Sequence, residues 1–376
     1  MSPLDLIDAP VIASSKRIRT HPQPAGNNHS DKTVYYRKIT KRIWTVMQAG
    51  MARGFEFRVL SLEDRTFLAR RGGKGFIYKI YPGHFSFRSQ YQDYDYEQTK
   101  AHKLALMNAG GLPVPTTYGL FAAAADMLAS FSDREFSFPL VAKPNAGSLS
   151  ENVFPNLSTS EQLAAAAAII EASGQPIQLE SHIFGKDYRV LILNHQYAGC
   201  VERRPANITG DGVHSITQLV ARRNQEPGRG DRNEAHTTLH QLVFDDTTHK
   251  LLQRSGYTPE TVLPPGEVFY VQEKITASTG SDYVDCTDEL HQSIIQSCVD
   301  FSRRFSTLTL GFDLITSDIS KPLHETNGAF NEYNFLPYVD LHENCNIGQK
   351  RPVCRLIWDY VEANAERIVT REFNMF

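Results

Sequence analysis

The sequence predicts an α/β (α+β) fold, and three observations support this prediction. Amphipathic helical segments alternate with short apolar strands, as in "KITKRIWTVMQAGMARGFEFRVL". Helices are bounded by capping residues and glycines, as in "TSEQLAAAAAIIEASG". The length of 376 residues exceeds one usual domain. We therefore expect two or three packed units of helices and sheets.

The composition excludes several classes of protein. A net charge of −3 and a pI near 6.5 lack the basic excess of a general nucleic-acid binder. No run reaches the roughly 18 apolar residues of a membrane span, and the polar N-terminus lacks a signal peptide. The five cysteines are scattered without CxxC spacing, so neither disulfides nor a zinc site are predicted. We expect a cytoplasmic enzyme without membrane or nucleic-acid partners.

The elements suggest three successive regions. Residues 1–33 are rich in Pro, Asn, Ser and Gly and predict a flexible arm. Residues 34–96 predict a small N-terminal α/β domain, with a helix over 38–53 and a strand over 56–62. Residues 97–376 predict the main domain, which begins with a helix ended by glycines in "AHKLALMNAGG".

Within the main domain, strands flank the alanine-rich helix. "FPLVAKP" precedes it, and "PIQLESHI" and "DYRVLIL" follow it, with Ser158 or Thr159 as the helix cap. This pattern predicts a lid-like subdomain at about 115–185 and a C-terminal subdomain at about 186–376.

A polar hairpin follows in "LGFDLITSDISKPLHETN". Residues 310–316 and 322–327 read as strands joined by a turn, which would place Asp313 opposite Glu325. Strand alternation would point Asn327 to the same face as Glu325. Two carboxylates held that close repel unless a cation or proton lies between them. Their oxygen ligands suit Mg²⁺ or Mn²⁺, although a solvated hairpin face remains open on the hairpin alone.

Phosphate-binding features precede this hairpin. Lys143 ends an apolar strand, and the small residues Gly147, Ser148 and Ser150 follow it, which would let backbone N–H groups approach a phosphate. The loop is not a Walker A motif. A solvated lysine after a strand is the competing interpretation.

The next hairpin carries two acids. Glu180 ends one strand and Asp187 opens another, with "SHIFGK" between them. An adenine needs backbone and acceptor contacts, and a ribose needs a carboxylate for its hydroxyl protons, so these acids could hold a nucleoside. An ordinary charged hairpin is the alternative.

Taken in order, these features resemble an ATP-grasp ligase. The closest resemblance is to the ATP-grasp module of bifunctional glutamate-cysteine ligase/glutathione synthetase and of cyanophycin synthetase. "VERRPANITGDGVHSITQLVARRNQEPGRG" and "LPPGEVFYVQEKITASTGSDYVDCTDELH" add two further similar segments, and the match runs from about residue 97 to 360. The resemblance implies the ATP-grasp fold, with ATP between the lid and C-terminal subdomains.

The resemblance also implies a reaction. These enzymes use ATP to phosphorylate a carboxylate, and an amine then attacks the acyl phosphate, releasing ADP and phosphate. Such chemistry needs positioning and charge neutralisation rather than covalent catalysis by the protein. The implied roles are phosphate binding by Lys143 with Lys100 or Lys103 and the Ser148 loop, nucleoside binding by Glu180, Ile183 and Asp187, two Mg²⁺ on Asp313, Glu325 and Asn327, and catalysis by Arg203 with Arg189.

Departures from the family lie where the substrates should bind. Gln272 replaces a family arginine, Ser281 replaces a glycine, and the chain after Asn327 lacks the expected proline nearby. His236 and His240, four residues apart, could suggest a metal, but a solvated helix face is the simpler interpretation. The substrates therefore stay unnamed.

The leading hypothesis is a stand-alone ADP-forming ligase joining small-molecule carboxylate and amine substrates, which would be amino acids or peptides. The first alternative is an ATP-grasp phosphotransferase that stops after phosphorylation. The second is a nucleotide-binding protein without catalysis. A homo-oligomer is compatible with the family, and nothing in the sequence fixes the oligomeric state.

Overall fold

The computed structural model describes most of the main domain and part of the N-terminal region. The predicted arm at 1–33 lies outside the described residues, as do Ser148 and His236. The described residues are 41–61, 66–71, 74–79, 99–132, 136–147, 151–230, 238–305, 307–335 and 337–364.

Helices and strands alternate along the described chain, as the sequence predicts. The helices are α1 Lys41–Met51, α2 Lys100–Ala109, α3 Ala124–Ala129, α4 Ser160–Ala172, α5 Ile216–Asn224, α6 Asp246–Arg254, α7 Gln292–Arg304, α8 Leu323–Thr326, α9 Asp340–Glu343 and α10 Cys354–Ala363. The strands are β1 Glu56–Ser61, β2 Thr66–Arg71, β3 Lys74–Lys79, β4 Thr117–Phe121, β5 Leu140–Pro144, β6 Phe154–Leu157, β7 Ile177–Ser181, β8 Lys186–Leu193, β9 Gln196–Arg204, β10 Asn207–Thr209, β11 Arg229–Gly230, β12 Leu239–His240, β13 Val268–Tyr270, β14 Asp282–Asp285, β15 Thr309–Thr316 and β16 Ala329–Asn334.

The chain forms two compact units, each built from separated stretches. The first unit comprises Met1–Phe87, Arg203–Asp285 and Phe335–Phe376. The second unit comprises Arg88–Glu202 and Cys286–Asn334. The predicted lid and the predicted metal hairpin therefore both belong to the second unit.

A four-stranded antiparallel sheet in the second unit has the order β4-β7-β5-β6. Helix α4 covers one of its faces, because its buried residues recur at helical spacing. Thr159 caps this helix, since its side chain accepts a hydrogen bond from the Gln162 backbone N–H, so one of the two predicted caps is confirmed. The buried α4 residues are Leu163, Ala166, Ala167 and Ile170.

A second sheet in this unit contains the neighbouring strands β9-β8-β15-β16. Strands β8 and β15 are antiparallel and pair over eight residues each. Phe301 of α7 contacts Phe312 of β15 edge-on, with ring centroids 5.5 Å apart. Leu310, Phe312 and Leu314 of β15 share the face towards α7. Alternation therefore places Asp313, and Arg189 opposite it on β8, on the other face.

The first unit has its own core. The Trp358 indole of α10 donates a hydrogen bond to the Val46 carbonyl of α1 at 2.8 Å and lies 4.6 Å from the Phe55 ring. Strands β1, β2 and β3 form an antiparallel sheet, and β10 pairs with β13. A separate apolar cluster, including Ile208 and Phe269, lies between β10, β13, α5 and α6.

Among the described helices, none combines the length and apolar character needed to cross a bilayer.

Candidate functional site

The predicted metal hairpin is correct in its first strand and wrong in its second. Asp313 lies in β15 as expected, but residues 323–326 form the short helix α8 instead of a strand. Asn327 ends that helix in a left-handed conformation at φ 51°. Glu325 is 53% exposed, and its ion contact is His324 at 4.0 Å. Glu325 and Asn327 therefore do not line a strand opposite Asp313.

The connection between the strands is longer than the turn "SDISK" that the sequence suggested. Pro322 stands just before α8, where its fixed φ suits a helix start and its missing N–H costs nothing. The returning strand begins only at Ala329. A helical turn in the connection shifts the pairing register by several residues, which is why the predicted partner of Asp313 was wrong.

The acid opposite Asp313 is Glu332. Asn334 follows two residues later on β16, so the spacing of an acid and an amide is the same as in the predicted pair. Pro337 comes three residues after Asn334. The proline that the resemblance led us to expect is thus present. It was the signal in the sequence that favoured Glu332 and Asn334 over Glu325 and Asn327 as the acid and amide of the predicted metal site.

Three charged residues lie in one row across three neighbouring strands. Asp313 pairs with Arg189 on β8 and with Glu332 on β16. Arg189 Nε lies 2.6 Å from Asp313 Oδ1, with 5% of the arginine and 13% of the aspartate side chain exposed. Among the described residues, the buried Nη1 of Arg189 has no hydrogen-bond partner. A buried donor without an acceptor fits an anionic ligand at this position.

A β-bulge directs two adjacent side chains of β16 towards lysines. Asp313 pairs with Glu332, and the next residue, Leu314, pairs with Phe330, so Asn331 is extra. Lys103 Nζ lies 2.7 Å from Glu332 Oε1. Lys143 Nζ donates to Asn331 Oδ1 at 3.3 Å. The bulge therefore connects β16 to both lysines.

Lys143 also forms an ion pair with an acid of the four-stranded sheet β4-β7-β5-β6. Its Nζ lies 2.8 Å from Glu180 Oε2, and the two side chains are 5% and 2% exposed. Val141 rather than Lys143 pairs directly with Glu180, so the ion pair runs diagonally between β5 and β7. A pair this buried is stable only when both charges are present. The predicted phosphate lysine and the predicted nucleoside acid are thus in contact.

Lys100 completes a cluster of three lysines. Its Nζ donates to the carbonyls of Pro144 at 2.9 Å and Ala146 at 3.3 Å. Burial lowers the pKa of Lys100; Glu332 opposes this shift, and Lys143 and Lys103 lower the pKa further. Mutual repulsion of these cations is relieved when an anion binds among them.

The remaining residues predicted for the site lie on several different elements. Ile183 lies half-buried between β7 and β8, and Asp187 on β8 shares a face with Arg189 two residues later. Arg203 lies near the end of β9, where the second stretch of the first unit begins. Gln272 of the first unit is buried and donates to the Val243 carbonyl at 3.1 Å and Asp245 Oδ1 at 3.0 Å.

The donor types at this site fit a magnesium ion that is shared with phosphates. In the described part of the chain, no three His, Cys, Asp or Glu side chains gather as a metal-binding group. Asp313 and Glu332 supply two carboxylates and Asn334 an amide oxygen. Mg²⁺ often takes one or two carboxylates and completes its shell with water and substrate phosphates.

The arrangement of helices and sheets is the ATP-grasp fold. A bifunctional glutathione synthetase from Pasteurella multocida matches it with a TM-score of 0.65 at 23% identity, over 88% of this chain and 46% of that protein. This likeness confirms the fold that the sequence resemblance implied.

In sequence, the chain is similar to two kinds of curated protein. Cyanophycin synthetase from Synechocystis sp. is 34% identical over 269 residues, which cover 70% of this chain and 30% of that enzyme. The bifunctional glutathione biosynthesis protein GshAB from Clostridium perfringens is 28% identical over 219 residues, which cover 56% of this chain and 28% of that protein. No family model matches the chain.

These relatives confirm the resemblance to the ATP-grasp ligases. The chain spans about 30% of the length of the curated relatives that it matches.

Proposed function

We propose that this protein is an ATP-dependent, ADP-forming carboxylate–amine ligase acting on amino acids or small peptides. The observation that carries the proposal is the row of Arg189, Asp313 and Glu332 across three strands, joined through Glu332 to Lys103. The row combines acids for a metal with cations for phosphates. The sequence similarity to two ligases supports the same reaction class.

The lysine cluster would bind the phosphates of ATP. Among the described residues, these three lysines contact two carboxylates, one amide oxygen and backbone carbonyls: Lys143 contacts Glu180 and Asn331, Lys103 contacts Glu332, and Lys100 contacts the carbonyls. Incoming phosphates would balance the excess positive charge. Both Lys100 and Lys103 belong to this cluster, so the proposal includes both.

The nucleoside would lie at the strand connection that follows β7. Glu180 would accept hydrogen bonds from the base, the Ile183 backbone would contact its edge, and Asp187 would hold the ribose hydroxyls. The Ser148 loop would approach the phosphates with its backbone N–H groups.

Asp313, Glu332 and Asn334 would hold Mg²⁺, or Mn²⁺ in its place. Glu332 and Asn334 replace Glu325 and Asn327 in this role, since they lie on the strand that pairs with β15. When bound, the metal would supply charge neutralisation at the phosphates during transfer of the γ-phosphoryl group. Arg189 Nε lies 2.6 Å from Asp313 Oδ1 and would orient this carboxylate. The Nη1 atom of Arg189 would then donate to a bound anion.

Arg203 and Arg189 would stabilise the acyl phosphate and the adduct formed when the amine attacks. A donor placed at such a charge is commonly worth about 2.7 to 4 kcal/mol in catalysis. Arg189 is buried and fixed, which removes the cost of ordering it during the reaction.

A screen of amino acids and dipeptides for ATP-dependent phosphate release tests this proposal. Pairs of a carboxylate and an amine should release ADP and phosphate together, and omission of the amine should stop phosphate release. Accumulation of a phosphorylated product without any amine would instead indicate a phosphotransferase. Absence of ADP formation with every pair, while ATP binds, would leave a nucleotide-binding protein without catalysis.

A further inference from the structure

Gln178 is a fully buried polar residue in the middle of β7. Its neighbours Ile177 and Leu179 enter the apolar core beneath α4, so alternation places Gln178 and Glu180 on the opposite face. Lys143 is the direct partner of Gln178 on β5. The side chain has 0% exposure. A buried amide on a central strand is costly unless both of its ends are hydrogen-bonded.

Only one end of this amide is satisfied. Its Nε2 donates to Glu180 Oε1, while Glu180 Oε2 contacts Lys143 at 2.8 Å. The opposite amide orientation would set Oε1 against a carboxylate oxygen, which cannot donate to it. The amide oxygen is therefore the end that is not bonded to Glu180. In the described part of the chain, Gln178 Oε1 has no hydrogen-bond partner.

A hydrogen-bond donor on a ligand would satisfy this oxygen. The ammonium of Lys143 already faces Glu180 and Asn331. Glu180, two residues away on the same face, is the acid proposed above to contact the base of ATP. The exocyclic 6-amino group of adenine is a donor, whereas the 6-keto group of guanine or hypoxanthine is an acceptor that would oppose Oε1.

We propose that Gln178 Oε1 accepts a hydrogen bond from the 6-amino group of adenine and thereby selects ATP over 6-keto nucleotides. This inference rests on the proposed function, because it assumes that a nucleotide binds here. A site built around a hydrogen bond rejects an analogue lacking that donor strongly, since the buried group is left unpaired. Gln178 is thus a specificity residue beside the acid that it orients.

Binding of ADP and inosine diphosphate, each with Mg²⁺, tests the proposal by titration calorimetry. The wild-type protein should bind ADP about tenfold or more tightly than inosine diphosphate. Gln178→Met is close in volume and should bring the two affinities within about twofold, mainly by weakening ADP. Gln253→Met, an exposed substitution on α6, is the matched control and should keep the wild-type ratio.

Three outcomes overturn the proposal. If Gln178→Met weakens both nucleotides equally, the residue acts only through Glu180. If Gln178→Met changes neither affinity, water or another group satisfies Oε1. If the wild-type protein binds purine riboside diphosphate, which lacks the 6-amino group, as tightly as ADP, the donor is not used; this measurement needs no variant.

These measurements distinguish failure of the role of Gln178 from failure of the proposed ligase function. Ligation with an unchanged nucleotide ratio refutes the role of Gln178 alone. Loss of discrimination in Gln178→Met, without ligation by any substrate pair, refutes the ligase alone. If the wild-type protein binds neither nucleotide, both are refuted.

Discussion

Asp313 lies directly across β15 and β16 from Glu332, and Glu332 in turn contacts Lys103 at 2.7 Å. This relationship decides which acid can share a metal with Asp313. Antiparallel partners have Cβ atoms about 4.5 to 5.5 Å apart, within reach of one cation. The exposed Glu325 on α8 lacks such a partner position.

Glu332→Gln should therefore abolish ADP formation, with a loss of about a thousandfold or more, because a metal ligand is removed. Glu325→Gln is the matched control and should keep activity within about threefold. Steady-state rates at several Mg²⁺ concentrations measure both. The metal assignment fails if Glu325→Gln is the inactive variant and Glu332→Gln is active.

The ion pair of Lys143 and Glu180 gives a second prediction. Each side chain is almost fully buried, so Lys143→Met or Glu180→Gln alone should cost about 3 to 5 kcal/mol by leaving one charge unpaired. The double variant should cost clearly less than the sum of the two. Urea unfolding of the four proteins measures this coupling. Additive losses would show that the two charges do not depend on each other.

A buried aspartate of the first unit gives a third prediction. Asp282 is 1% exposed and accepts hydrogen bonds from the side chains of Arg223, Arg229, Asn207 and Asn346. These donors come from three separate stretches of the chain, so the carboxylate connects parts that are distant in sequence.

Asp282→Asn should lower the free energy of unfolding by about 3 kcal/mol or more, because two arginines lose their buried counter-charge. The exposed Asp300→Asn, which keeps an amide oxygen as acceptor for Gln296, should cost less than about 0.5 kcal/mol. Denaturant midpoints compare the two. Equal stability of the two variants would contradict the role of Asp282.

A fourth prediction concerns the pH dependence of stability. Ser302 Oγ donates to the Thr307 carbonyl at 2.8 Å, so at its 2.6 Å contact with His195 Nδ1 it must accept the imidazole proton. Burial, and secondarily Arg303, lowers the pKa of His195 from its ordinary 6.5. Folding therefore favours the neutral imidazole relative to the unfolded chain.

Between the lowered pKa and 6.5, the unfolded chain binds more protons at this residue than the folded one. The free energy of unfolding should therefore rise with pH through that window and level off above it. His195→Gln should have a flatter dependence there, which unfolding at several pH values measures. An unchanged slope in the variant would exclude His195 as the cause.

Local patterns predicted the elements well. Helices α2 and α4 and strands β5, β7, β8 and β15 were all anticipated, because helical spacing, caps and apolar runs are properties of neighbouring residues. The ion pair of Arg189 with Asp313 was not anticipated, since it depends on the register between β8 and β15, which are far apart in the chain.

The prediction of the second strand of the metal hairpin was wrong for the same reason. Two acid–x–asparagine sequences, ending at Asn327 and Asn334, follow Asp313 within a short distance. Their side chains are identical in chemistry, so only the length of the connection distinguishes them. A helical turn after Pro322 lengthens it, and this turn carries no strong hydrophobic period. Pro337 was the local signal that favoured the later sequence.

Gln178 could not be recognised from the sequence as a specificity residue. A glutamine within "PIQLESHI" is ordinary in a strand that has one solvated face. Its importance depends on complete burial and on the contact with Glu180, which fix the direction of its amide.

The bulge at Asn331 has a consequence for how the gene can vary. Because Asn331 is the extra residue, its loss would restore regular pairing and leave Glu332 opposite Asp313, but it would remove the side chain that contacts Lys143. A substitution at Asn331 changes this one contact, whereas a single-codon deletion would also remove the bend and the added twist that the bulge gives to β16. We therefore expect homologous chains to keep the length of this stretch even where its residues differ.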